Sequence, residues 1–372
     1  MKKIKKRGFI TGLSVLCTFL IISTTVQAQN FGIRGRIHMD AFYGIYEADE
    51  FVNGFNNRRA RMGMDGRLND HWDGKIEVDF ADGKVTPKDF FLRRSFENGG
   101  RLRIGYFKKP HGLSQLTSDN RITFIERSAM SNMGRDPERM GLGYELFKTR
   151  LGFSSMVFGR ALGQRDALED DMPLGVALRG VYAPEVGSGR LHFGASVVYE
   201  DLRSNTGIRY SDHPEALDSK GGSVKYLDVS IPDAENTLLA GVEILYLNGP
   251  FSVEGEYLQT SVGTAQGNDP AFHGYHVQAG YVLTGESRSY STGFVGGISP
   301  ENDSGAWEVA VRYSLMDLRD DIYVGDKQSN VTFALNRYVT SNLRFMGNVV
   351  IVSTENLDRT PVLGVARVQY FF

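Results

Sequence analysis

The chain closes on VLGVARVQYFF, residues 362–372, in which Val362, Gly364, Ala366, Val368, Tyr370 and Phe372 alternate with Leu363, Val365, Arg367, Gln369 and Phe371. A period of two sends alternate side chains to opposite faces of an extended strand. The same pattern recurs along the chain. Ile33, Ile37, Met39 and Tyr43 alternate with Arg34, Arg36, His38 and Asp40, and Leu174, Val176, Leu178 and Tyr182 flank Arg179. Trp307, Val309, Val311, Tyr313 and Leu315 alternate with Glu308, Arg312 and Ser314. Each of these strands has one apolar face and one charged face.

The chain begins MKKIKKRGFITGLSVLCTFLIISTTVQAQ, a basic start followed by an apolar run and by Val26-Gln27-Ala28. That order is a secretory signal peptide, residues 1–28, and it leaves residues 29–372 as a single domain. Five of the 42 basic residues leave with it and no acidic one does, so 37 basic face 44 acidic residues in the mature chain. The single cysteine, Cys17, also leaves, so an exported protein is expected to hold together without disulfides. Beyond residue 28 no apolar run reaches the length of a spanning helix, which leaves a soluble exported protein or a membrane β-barrel.

The composition of the two faces favours the barrel. The apolar faces run without charge for about ten residues, the length a tilted strand needs to cross a bilayer, and tyrosine and phenylalanine gather toward strand ends. The charged faces suit a water-filled lumen better than a packed interior. At roughly twenty residues per strand and connection, the expected fold is all-β, a transmembrane antiparallel β-barrel of about 16 strands. Phe372 then reads as the terminal aromatic through which the barrel-assembly machinery recognises the last strand. Residues 101–127, RLRIGYFKKPHGLSQLTSDNRITFIER, start as an alternating strand and break at Pro110 into a long segment, expected to be a third loop folded into the lumen. Residues 201–222 and 284–305 are long and polar and are expected to be outward loops.

Arginine dominates the basic residues: the mature chain has 28 arginines and nine lysines. On the lumen parity lie Arg34, Arg36, Arg101, Arg103, Arg150, Arg160, Arg179 and Arg312. A guanidinium binds oxyanions in bidentate fashion, so a row of them could form an anion path. Most single positions are expected to pair with a nearby carboxylate instead. Arg58, Arg59 and Arg61 stand apart, because no acidic residue follows them before Asp65, and there anion binding is at least as strong an expectation as pairing.

The run Asn57-Arg58-Arg59-Ala60-Arg61, the segment Trp72 to Phe80, Gly105-Tyr106-Phe107-Lys108-Lys109-Pro110, Leu116-Thr117-Ser118 and Thr123-Phe124-Ile125-Glu126-Arg127 resemble the phosphate-selective porin O and P family. The resemblance implies a trimeric sixteen-stranded outer-membrane porin. It also implies a constriction built from Arg58 and Arg59, Asp89, and Arg127 on the inward loop. A Ser-Lys pair of that family falls on Asp119-Asn120 here. A donor cation is thus replaced by a neutral residue with an acid beside it, and Arg121 is the nearest compensation.

The expected function is passive diffusion of small anions, phosphate or polyphosphate among them, through a channel whose anion-binding residues are Arg58, Arg59, Arg61, Asp89, Asn120, Arg121 and Arg127. A weakly selective general porin is the alternative, and a barrel enzyme or adhesin a third. No nucleophile elbow, Walker loop, dinucleotide fingerprint or His-Glu-x-x-His motif is present, so no enzymatic role and no cofactor is expected. His273 and His276 are a thin case for zinc. Glu169-Asp170-Asp171, Asp317 and Asp320-Asp321 read as solvated turns. Expected partners are outer-membrane lipid and lipopolysaccharide, small anionic solutes and two further copies of the chain, with no nucleic acid.

Overall fold

The computed structural model describes residues 30–45, 51–162, 174–202, 207–216, 224–355, 357 and 360–372. The leader and the acidic run 169–171 lie outside the described residues. Sixteen long strands pair antiparallel, each with its neighbours in the chain. They are β1 (Asn30–Ile45), β2 (Phe51–Arg67), β3 (Trp72–Asp79), β4 (Thr86–Ser95), β5 (Gly100–Lys108), β6 (Glu138–Phe147), β7 (Leu151–Phe158) and β8 (Leu174–Tyr182). There follow β9 (Gly189–Asp201), β10 (Ala234–Asn248), β11 (Phe251–Thr264), β12 (Ala271–Val282), β13 (Ala306–Asp317), β14 (Lys327–Tyr338), β15 (Leu343–Thr354) and β16 (Val362–Phe371).

β16 pairs with β1 from Arg36↔Phe371 to Ile45↔Val362, which closes the sheet into a barrel. Phe372 extends the seam by exchanging backbone hydrogen bonds with Gly35, at 3.0 and 3.1 Å. Closure leaves no unpaired sheet edge, which is what hydrocarbon surroundings demand of a spanning sheet.

The period of two is expressed as burial. Along β8 every second residue is covered: Leu174, Val176, Leu178 and Tyr182 are exposed and Gly175, Ala177, Arg179 and Val181 are not. Polarity is therefore inverted relative to a soluble protein, with Val242 and Ile244 facing out and Asp40, Arg139, Arg179, His192, Glu308 and Arg367 almost wholly enclosed. The inward charges are held in pairs. On the seam, Arg367 donates to both carboxylate oxygens of Asp40 at 2.6 Å, joining β16 to β1.

The two ends of the barrel differ. At the end that carries both termini, five connections are turns of two to four residues and a sixth spans 183–188. Residues 283–305 are the exception. They were expected to form an outward loop, yet β12 and β13 run so that this long connection joins them at the terminus end. It also turns inward: the Tyr290 hydroxyl lies 2.7 Å from His192 Nδ1 and Phe294 packs edge-on against Phe147. At the other end, the described part of the long segment between β9 and β10 also turns inward. It pairs Ile208–Asp212 with Leu227–Ile231, and this hairpin is buried against the wall and against residues 129–133.

Removing one partner of a buried pair strands the other charge, at a cost of about 3–5 kcal/mol. Asp40→Ala should therefore lower the unfolding free energy, taken from urea titration of the folded barrel in lipid vesicles, by that order. A loss below about 1 kcal/mol would mean that Arg367 gains enough from Glu126 alone and that the pair does not hold the seam.

Candidate channel constriction

The connection between β5 and β6, residues 109–137, crosses the barrel. Lys109 sets its base: its backbone N–H donates to Pro137 O at 2.8 Å and its Nζ to Gly134 O at 2.7 Å, so the loop leaves and returns at one point. Leu113–Leu116 form one helical turn, and the chain then turns at 119–121 and follows the far wall to 126 as bends, neither helix nor strand. A non-helical backbone inside a barrel needs partners for its carbonyls. Gln369 Nε2 donates to Asn120 O, Arg288 Nη1 to Arg121 O, Arg344 Nη1 to Ile122 O and Asn336 Nδ2 to Thr123 O, at 2.9–3.0 Å. Arg367 Nη1 donates to Ile125 O and Arg312 Nη1 to Glu126 O, at 2.5 and 3.0 Å. The segment is thus tied to β13–β16, on the opposite side of the lumen from the strands that carry it.

What remains open lies between this loop and the wall of β1–β7. A cavity of about 300 Å³ is lined there by Arg36, Arg61, Lys75, Glu77, Asp89 and Asp119, among others. At its loop side the arginines of β2 converge. The ladder between β1 and β2 shifts register between His38 and Met39, so His38 faces Arg59 while Met39 faces Asn57. Arg58 is the extra residue of a β-bulge, and Arg58 and Arg59 both point inward, as two consecutive residues of a regular strand could not.

Their partners come from the loop. Arg58 forms a two-bonded fork on Glu126, at 2.8 and 3.0 Å. Arg59 lies 3.1 Å from Asp119, and Arg61 spans Asp79 at 2.7 Å and Asp119 at 2.9 Å. Arg127 reaches Asp119 at 2.6 Å and also holds the Ser114 and Thr117 carbonyls. Arg58, Arg59 and Arg61, which have no acid close behind them in the sequence before Asp65, thus find carboxylate partners in Asp79 on β3 and in Asp119 and Glu126 on the loop. Burial pushes the Asp119 carboxyl up, but Arg59, Arg127 and Arg61 outweigh burial and hold it well below the usual carboxylate range. Burial likewise opposes ionisation of Glu126, and Arg58, Arg59 and Arg367 overcome it in the same direction.

Asp89 stands in the same cavity, bonded to Lys75 at 2.6 Å, and Lys75 leads on to Glu77, Arg36 and Arg61. The side-chain Oδ1 of Asn120 accepts from His38 Nε2 at 3.0 Å. Arg121 is not part of this group: its side chain is exposed and lines a separate recess with Ser289, Tyr338 and Arg344. Among the other lumen arginines, Arg34 pairs with Asp65, Arg101 and Arg103 with Glu145, Arg179 with Glu243 and Arg312 with Glu215. Arg160 lies two residues beyond the end of β7 and is half-buried. Arg150 is not in the lumen; it sits exposed in the turn between β6 and β7. His273 and His276 cannot share an ion, because three residues along a strand reverses the face: His273 stacks on Tyr257 outside and His276 is buried inside.

The model of the phosphate-selective porin O and P family matches residues 31–372. This chain belongs to that family. Porin O of Pseudomonas aeruginosa is 26% identical over 401 residues, covering 95% of this chain and 91% of the relative. Among solved structures, the anion-selective porin from Comamonas acidovorans superposes with a TM-score of 0.57 at 13% identity, over 92% of this chain and 99% of that one. OprB of Pseudomonas putida superposes with a TM-score of 0.61 at 8% identity, over 92% and 94%. The protein is accordingly an outer-membrane porin.

The sign of the pH dependence at the constriction follows from the depressed carboxyls of Asp119 and Glu126. Their contribution to stability is complete above their unfolded values, about 3.9 and 4.3, and is lost only as pH falls through the lower folded values. Single-channel conductance and its noise should stay constant from pH 7 to about 4.5 and change only in stronger acid. Loop fluctuations that already grow near pH 5 would show that these carboxylates are not held as described.

Proposed function

We propose that this porin passes small anions passively down their gradient through the gap between residues 109–127 and the β1–β7 wall, with weak selectivity. The observation that carries the reading is the charge lining the gap: Arg36, Arg61, Lys75, Arg103 and Lys108 against Glu77, Asp89, Asp119 and Glu145. Cations are in excess by one, and Lys108 is held by a carbonyl, Gln115 O at 2.7 Å, rather than by a carboxylate. An anion is thus favoured in transit, while the acids interleaved with the cations keep any one site from holding it. Phosphate and polyphosphate are among the solutes of this reading, by the likeness to the family. Asp119 tempers it, since a carboxylate shared by three arginines leaves little room for a dianion to replace it. The same pairing is what favours the second reading, a general porin for small hydrophilic solutes.

The chain is further read as exported by residues 1–28, assembled through its C-terminal aromatic, seated among lipid and lipopolysaccharide, and trimeric. Support for the trimer comes from the family and from a fold shared with a Vibrio cholerae outer-membrane protein solved in a trimer form. The reading leaves the protein no chemical step to perform: Arg58, Arg59, Arg61 and Arg127 act on a solute only by charge and by donated hydrogen bonds.

Reversal potential across a planar bilayer under a potassium chloride gradient tests the assignment. The wild type should prefer chloride. One unit charge about 4 Å from the ion path in water-like surroundings is worth about 1 kcal/mol, about five-fold in permeability ratio. Asp119→Asn should raise anion preference by that order and make the current sensitive to added phosphate, and Arg59→Ala should lower it. A cation-preferring or unselective channel that neither substitution alters would sink the anion reading and leave the general porin.

A further inference from the structure

Most of the deeply buried acids on the described wall and crossing loop are matched by an arginine. Asp40, Asp119, Glu126, Glu200, Glu243 and Glu308 each face an arginine at 2.5–3.1 Å. Glu254 and Glu256, successive inward residues of β11, face none within ion-pair distance among the described residues. Their neighbour is instead His276, opposite Glu256 on β12. The three are 8%, 4% and 1% exposed, and one donor atom from each lies within 4.8 Å of the others.

Two carboxylates side by side in an enclosed space repel one another unless something positive lies between them. His276 Nε2 is 3.2 Å from Glu254 Oε1, which serves one of them. Glu256 accepts from the Ser114 backbone N–H through Oε2 at 3.1 Å, but its Oε1 is buried with no hydrogen-bond partner. The loop approaches so closely there that a Cβ on Gly112, whose φ is +66°, would lie 2.4 Å from that oxygen. Glycine is what the close approach and the left-handed backbone both require.

We propose that Glu254, Glu256 and His276 form a divalent-cation site of zinc type. One imidazole and two carboxylates are a mixed nitrogen and oxygen donor set, which suits zinc better than the all-oxygen cations calcium and magnesium. Zinc–ligand distances near 2.0–2.2 Å place ligand atoms about 3.3–3.6 Å apart in a tetrahedron, and the His276–Glu254 separation of 3.2 Å needs to open only slightly to reach it. The ring is oriented from behind as metal-bound imidazoles are: His276 Nδ1 lies 3.1 Å from Ser128 Oγ, a hydroxyl that can accept its proton. Ser128, Ser131 and Ser114 continue as a chain of hydroxyls at 3.1 and 3.3 Å, all three on the crossing loop. An ion at this place ties the start and the end of that loop to β11 and β12. It does so on the side where the arginines of β13–β16 do not reach.

The test uses the full-length protein refolded in detergent and equilibrated with zinc chloride. Bound zinc is counted by mass spectrometry after dialysis, and thermal unfolding is followed with zinc and with EDTA. Wild type and the outer-face control His273→Gln should retain about one ion per chain and unfold at a higher temperature with zinc than with EDTA. Glu256→Gln, Glu254→Gln and His276→Gln, isosteric enough to keep the barrel's strand circular dichroism, should lose both effects. Wild type that retains no zinc and unfolds alike in zinc and EDTA overturns the site. So does retention that the three substitutions leave intact, and in the first case a proton on Glu256 is what satisfies the cluster.

Discussion

Everything inside this barrel depends on how the bare carbonyls of residues 120–126 are satisfied. A segment that is neither helix nor strand cannot lie in a lumen unless each polar backbone group finds a partner, and here the partners are mostly arginines of the far wall. Arginine suits this because its five donors in a planar fork let one side chain serve two masters. Arg367 holds Ile125 O with one nitrogen and Asp40 and Glu126 with the others, and Arg312 divides itself between Glu126 O and Glu215. Lysine offers a compact point charge without the fixed planar fork that lets arginine take partners on separate nitrogens. The excess of arginine over lysine is therefore in large part architectural, a scaffold for the loop.

Period-two alternation revealed the barrel, and in nearly every strand it also revealed which face looks inward. Arg179, Arg312, Asp40 and Arg367 all fall where parity puts them. Alternation is local and survives without knowledge of neighbours. The partners of Arg58, Arg59 and Arg61 were not legible, because Asp119 and Glu126 lie about sixty residues on and meet them only once the loop has crossed the lumen. Asp119 was visible as a departure from the family's pattern, yet its consequence, one carboxylate shared by three guanidiniums, is a matter of three-dimensional distance. Asn336, Arg344, Gln369 and Arg288 were missed as loop anchors. Their shared role has no sequence signature beyond inward parity, and Arg288 lacks even that.

The connection 283–305 shows why loop length alone misleads. Long polar segments in a barrel belong by habit to the end away from the termini, and only a count of strands reveals that this one belongs to the other. Once placed, its chemistry makes sense. Arg288 enters the lumen from beneath, donates to Arg121 O and Thr123 Oγ1, and rests on Glu308, so the crossing loop is supported from both ends of the barrel. The open space is left on one side, against β1–β7, instead of along the axis.

The single extra residue in β2 bears on the history of the sequence. In a strand of strict alternation, one of two adjacent arginines would stand in hydrocarbon, at a cost of about 2–4 kcal/mol near the bilayer midplane. The bulge at Arg58 removes that conflict, so the pair of guanidiniums and the irregularity in the ladder are a single heritable unit. A deletion of Asn57 alone would rotate the first half of the strand, turning Phe55 into the lumen and Asn56 outward, while leaving Met62 and Met64 in lipid. Length, and not only residue type, is under constraint in this strand.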